Sequence, residues 1–288
     1  SNATLLNGPV GQTVPLKILP LGNSITYGYL STDGNGYRKH LLDQITANGT
    51  AQYIGSVRSG NMTDNHNEGH PGATITQISA FSINSLALRP NLILLMAGTN
   101  DMNLNLSLGA PQRLANLVDM CSIACPDAVI LLAQLTPAGT ADVEARVKAF
   151  NPSVVSIAAN REQNGVKVLV VDMPKFVTRA DLKDNLHPND VGYAKMADAW
   201  YQGIQNAVST GWLTPPVAMN LSIPTAFSIS TSSSLFSNVP ALATPTKVSV
   251  PSVAVASQTV TNAADSGGGP WHSHLASYFA VAGLCLLL

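Results

Sequence analysis

An open parallel α/β sheet is the fold this sequence predicts, and three observations predict it. Five short apolar runs recur between about residues 14 and 210, helical periodicity fills the intervals between them, and polar or glycine-containing turns follow several of the runs. The runs are LKILPLG (16–22), AQYIGSV (51–57), NLILLMAG (91–98), AVILLAQL (128–135) and VKVLVVD (166–172). Each is continuous and largely β-branched or leucine-rich, as parallel strands covered on both faces require. The first is followed by the helical pattern YRKHLLDQITANG (37–49), and the second by TITQISAFSINSLAL (74–88). PQRLANLVDMCSIA (111–124) follows the third, the long segment 140–165 the fourth, and NDVGYAKMADAWYQGIQNAV (189–208) the fifth. Strand and helix in alternation imply right-handed crossovers, and functional residues then collect at the carboxyl ends of the strands.

Composition narrows the function classes. The 288-residue chain carries a net charge of −1 and a pI near 6.6, so it lacks the basic face that nucleic acid or an anionic membrane surface would need. Charged residues make up 11%, against about 25% in ordinary soluble domains. The deficit is local, since Lys247 and Asp265 are the only charged side chains after Trp212. The first three residues, Ser-Asn-Ala, match the remnant of a cleaved affinity tag and are set aside.

Residues 4–213 are expected to form the α/β domain. Residues 214–265 are rich in Ser, Thr, Pro, Ala and Val and read as an extended stalk. The alternation in KVSVPSVAVAS offers a strand instead, but its proline speaks against a central one. From 266 the chain runs through small residues and a short polar spacer to an apolar tail, Leu275 to Leu288. The tail is shorter than the roughly 20 residues of a spanning helix, and the pattern matches a glycolipid (GPI) anchor signal. The expectation is a secreted protein with no membrane span in its mature form. Sequons at Asn48, Asn61, Asn105 and Asn220 are compatible with glycosylation. Cys121 and Cys125 lie four apart in a helical pattern, a spacing that suits a small disulfide, with two buried thiols as the alternative.

Ser24, in LGNSITYGYL, directly follows the first predicted strand. Gly-Asn-Ser is ordinary turn chemistry, so a nucleophilic role depends on partners, because a serine hydroxyl needs a base. His40 falls on a helix surface pattern, and His272 and His274 lie in the tail. His187 stands in DLKDNLHPND, beyond the fifth strand, three residues after Asp184, which can meet its imidazole within one loop. Asp190 reads as the cap of the last helix. For an oxyanion, Asn100 in AGTND offers an amide after the third strand, and Gly72 in GHPG offers a backbone N–H before a helix. HNEGH (66–70) places His66, Glu68 and His70 at alternate positions, but the stretch reads as a loop with no HExxH motif, so no metal or other cofactor is expected.

With these blocks in order, the chain resembles the SGNH (GDSL-type) hydrolases: GNSIT around Ser24, GHPG at Gly72, GTND at Asn100, and DNLHP with Asp184 and His187. The longer strings LGNSITYG, NEGHPG, LLMAGTNDM and DNLHPNDVGYAKMA are most similar to family 3 carbohydrate esterases of the acetyl xylan esterase type. Asn23 departs from the Asp usual in that family. The resemblance implies a three-layer α/β/α, flavodoxin-like sandwich with five parallel strands. It also implies Ser24 as nucleophile, His187 as general base and acid, and Asp184 as its orienting carboxylate. The Ser24 N–H, Gly72 N–H and Asn100 amide would form the oxyanion hole. No G-x-S-x-G elbow occurs. The function expected is a monomeric, secreted serine esterase acting on an acetylated polysaccharide. The alternatives are an esterase for lipid or other small acyl substrates, and an inactive carbohydrate-binding module.

Overall fold

The computed structural model describes residues 14–217. The stalk beyond 217, the anchor signal and Asn220 lie outside the described residues. β1 (Leu16–Asn23) is the centre of the sheet. It pairs in parallel with β5 (Leu92–Met96) along one edge, and the sheet continues to β6 (Val129–Ala133) and β7 (Val168–Val171). The apolar runs account for these strands, since Ile18, Leu19 and Leu21 and every residue of β5 and β6 are buried.

The other edge of β1 is shared end to end. β2 (Ala51–Tyr53) pairs with Leu16–Ile18, and β4 (His66–His70) with Leu21–Asn23. β3 (Val57–Arg58) then adds antiparallel to β4. The five expected parallel positions are thus present, but seven strands build the sheet. Two expectations need correcting. AQYIGSV is two strands, because the chain leaves the edge of β1 at Gly55 and rejoins the sheet beside β4; the φ of +147° at Gly55 and its contact with Asn67 leave no room for a side chain. HNEGH is a strand, not a loop.

Helices cover both faces. α2 (Arg38–Thr46) and α8 (Asp190–Ser209) pack together on one, with the short α7 (Met173–Phe176) beside α8. α3 (Ile75–Leu86), α5 (Ala110–Ala124) and α6 (Ala141–Gln163) pack together on the other. Two further short helices, α1 (Ser24–Tyr27) and α4 (Thr99–Asn103), start just beyond β1 and β5. This is the three-layer α/β/α arrangement with a mostly parallel central sheet. No helix among the described residues is long and apolar enough to cross a membrane. Asn48, Asn61 and Asn105 are exposed.

The expected disulfide does not form. Cys121 and Cys125 are both free and buried. Cys125 ends α5 as its C-cap and turns its thiol to the Leu86 carbonyl on α3, 3.3 Å away. Burial pushes the Cys121 thiol up to about 12, so both sulfurs behave as small core side chains.

Candidate active site

Ser24, Gly72 and Asn100 stand just beyond β1, β4 and β5, and the loop ahead of α8 brings His187, with Asp184, to Ser24. Ser24 is the first residue of α1, where its backbone N–H has no intrahelical partner. Asn23 caps that helix, its Oδ1 accepting from Ile25 N at 3.1 Å. The task needs only an acceptor oxygen, which explains why an amide serves where the resembled family has a carboxylate. Gly69, beside Gly22 in the sheet, lets α1 lie directly on β4, because a Cβ there would strike the Tyr27 backbone.

His187 arrives on a loop pinned at its base. Lys183 N donates to the His187 carbonyl (2.8 Å), Leu182 and Pro188 form a bridge, and Asn189 N donates to the Asp181 carbonyl (2.8 Å). Asp181 is itself buried and held by Lys195 at 2.7 Å. The Ser24 hydroxyl meets His187 Nε2 at 2.8 Å, and His187 Nδ1 meets Asp184 Oδ2 at 2.8 Å. Burial opposes a charge on Asp184. The His187 N–H and ring and the Leu186 N–H outweigh it and hold its carboxyl below the usual range. An ionised Asp184 accepts the Nδ1 proton, which leaves Nε2 free to accept from Ser24.

The two other blocks are tied to each other. Asn100, on α4, donates one amide hydrogen to the Ala73 carbonyl at 2.9 Å, and its second hydrogen remains available. Asp101 accepts from Ile75 N at the start of α3 (2.9 Å) and from Arg113 (2.8 Å). The GTND segment is therefore tied to the two residues flanking the start of α3, directly after GHPG. Gly72 has a φ of +80° with open space around it, and its N–H makes no hydrogen bond among the described residues.

Asp190 is a correction. The cap of α8 is Asn189, whose Oδ1 accepts from Gly192 N at 2.9 Å. Asp190 instead accepts from Thr32 N (2.8 Å) and the Thr32 hydroxyl (2.6 Å). Tyr193, also on α8, donates to the Tyr29 carbonyl at 2.6 Å. Fully buried Arg38 donates to the carbonyls of Tyr27, Gly34, Ser59 and Asn65. Together they fasten the loop after the serine to the helix after the histidine. Sequence reasoning missed these supports. Their only local signal was a polar residue on a helix start, since the partners lie up to 164 positions away.

His40 is exposed, as expected of a helix surface residue. Among the described residues no three metal-ligating side chains gather. Glu68 is fully buried and accepts from Ser56 N and Oγ (both 2.8 Å), from Ser85 and from His70 Nε2 (2.6 Å). His66 pairs with Asp64 and Arg58 instead. Burial opposes the Glu68 charge, but its donors outweigh it and hold the carboxyl below its ordinary value. Glu68→Gln is expected to cost about 1–3 kcal/mol of stability at neutral pH, by putting an N–H where a donor already points. A carboxyl held low in the folded state stabilises above its unfolded value and loses that contribution as pH falls. Urea unfolding of both proteins should show the gap narrowing below about pH 4.

Comparison with known proteins adds to this geometry. The family model described as "GDSL-like Lipase/Acylhydrolase family" matches residues 21–195. A multidomain esterase of Ruminococcus flavefaciens is 27% identical over 223 residues, which cover 66% of this chain and 28% of that protein. The chain therefore spans little more than a quarter of that relative's length. Among solved structures, a family 3 carbohydrate esterase from Clostridium thermocellum is 29% identical with a TM-score of 0.61, covering 69% of this chain and 100% of that one. A family 3 carbohydrate esterase from Talaromyces cellulolyticus shares the fold at 21% identity and a TM-score of 0.57, covering 68% and 99%.

Proposed function

Because the chain belongs to the GDSL-like lipase/acylhydrolase family, we propose that it is a serine esterase removing O-acetyl groups from a polysaccharide such as xylan. The observation that carries this reading is the unbroken relay from Ser24 through His187 to Asp184, with 2.8 Å at each step. The likeness to the clostridial carbohydrate esterase over that protein's whole length supports the substrate class.

In this account Ser24 Oγ attacks the acetyl carbonyl while His187 Nε2 takes its proton. The carbonyl oxygen becomes an oxyanion held by the Ser24 N–H, the Gly72 N–H and the free hydrogen of the Asn100 amide. Collapse breaks the bond to the sugar oxygen, which receives the proton from His187. A water, deprotonated by the same imidazole, then hydrolyses acetyl-Ser24 to acetate and the free serine. Asp184 stays ionised throughout and steadies the imidazolium. A polysaccharide such as xylan is met outside the cell, so secretion is part of this proposal.

Acetate release from acetylated xylan, compared with octanoate release from a glycerol ester, tests the substrate class. The expected kcat/KM ratio favours acetyl xylan by about tenfold or more. A ratio favouring octanoate replaces the polysaccharide with a lipid substrate, and no turnover of either by the folded chain supports a binding module instead.

A further inference from the structure

The catalytic relay leaves one prominent side chain beside it without a task. Tyr29 follows α1 by two residues, and 47% of its surface is exposed. Its ring meets the His187 ring edge-on, with centroids 4.9 Å apart and planes at 65°. The backbone holding it is fixed at both ends of the residue. Tyr29 N donates to the Ser24 carbonyl at 2.9 Å, and the Tyr29 carbonyl accepts from the buried Tyr193 hydroxyl at 2.6 Å. The next residue, Leu30, has a φ of +66°, a conformation that a leucine rarely adopts. The ring is thus presented to solvent from a rigid mount, at the serine and against the histidine.

The chemistry of ester cleavage says what lies there. His187 Nε2 must come within hydrogen-bond reach of the leaving oxygen, about 3 Å, to protonate it. The acyl group lies on the other side, towards Gly72 and Asn100. The alcohol half of the ester, here a sugar ring, therefore passes on the histidine side. Beside that path stands the half-exposed ring of Tyr29, its centroid 4.9 Å from that of His187. A pyranose presents an apolar C–H face that an aromatic ring covers well, and a ring already immobilised loses little entropy in doing so.

The geometry points to Tyr29 as a specificity-determining residue that stacks on the sugar carrying the scissile acetyl group. This inference rests on the polysaccharide deacetylase reading and deepens it. Tyr29 selects the leaving group and leaves the choice of acyl group to other residues.

The test uses the full chain as wild type, Tyr29→Ala and Tyr29→Phe. Each is assayed on an acetylated xylo-oligosaccharide and on ethyl acetate, whose alcohol has no ring to stack. The expected result for Tyr29→Ala is a drop of about tenfold in the ratio of the two kcat/KM values, carried by KM for the oligosaccharide, with Tyr29→Phe restoring the ratio. An equal loss on both esters overturns the inference, because it assigns Tyr29 to packing His187 in place. An unchanged ratio with no loss on either overturns it too. A wild type that hydrolyses ethyl acetate but no sugar acetate overturns the polysaccharide reading and this inference together. That outcome is visible before any variant is compared.

Discussion

Ser24→Ala is expected to lower acetate release by several powers of ten, about 10⁴ or more, with no loss of folding. The site explains both halves of that result. Among the described residues the Ser24 side chain makes one hydrogen bond, to His187 Nε2. The capping of α1 runs through the Asn23 side chain, and the loop after it is held by the Ser24 carbonyl. Both survive when the hydroxyl is removed. Ser24 is also a small residue at 6% exposure, so alanine leaves a gap no larger than one oxygen. Measured stability within about 0.5 kcal/mol of wild type, together with residual turnover near background, is the expected pair of findings. A variant that kept a tenth of its activity would remove Ser24 from the reaction.

Asp184→Asn is expected to lower kcat by about 10³ to 10⁴ at neutral pH, with a much smaller change in KM. Asp184 Oδ1 accepts two backbone N–H groups, from Leu186 and His187, both at 2.7 Å. An introduced amide must keep its oxygen on those donors, which turns its NH₂ towards His187 Nδ1. The imidazole then has to accept there and carry its proton on Nε2, where Ser24 needs an acceptor. The loss therefore comes from the wrong tautomer in an intact loop, and Asp184→Ala, which imposes no tautomer, should be impaired no more than Asp184→Asn. Steady-state kinetics on the two variants decide it. In the wild type the Asp184 carboxyl sits below its ordinary value. Its contribution to loop stability is present above about pH 4 and is lost as pH falls through the lowered value.

How much of this was legible in the sequence depended on whether a residue's partners were local. β5 and β6 announce themselves as wholly apolar runs because both of their faces are buried. Ser24, Gly72, Asn100, Asp184 and His187 were legible as four blocks, each weak alone and informative in order; three follow strands, and the fourth stands ahead of α8, beyond α7. β4 was not legible, for a physical reason. Its buried residues are Asn67, Glu68 and Gly69, none of which carries an apolar signal. The burial of Glu68 is offset by Ser56 and Ser85, whose sequence distance hides the arrangement. The cap of α8 was misread by one position, since Asn189 and Asp190 are equally good acceptors until Thr32 claims the second. The cysteine spacing fitted a bridge, yet the direction of the Cys125 thiol is decided by the end of α5 and by Leu86 on another helix. Tyr29 stood in view in the first motif, but its neighbour His187 is brought to it only by the fold.

In the proposed reaction Ser24 Oγ is the atom acylated during turnover. The most direct measurement is mass spectrometry of the full chain after reaction with a phosphonate ester that traps serine nucleophiles, followed by peptide mapping and a parallel assay of acetate release. One adduct is expected, on the peptide containing Ser24, formed in step with loss of activity and absent from Ser24→Ala. An adduct on another residue, or full inactivation with Ser24 unmodified, would contradict it.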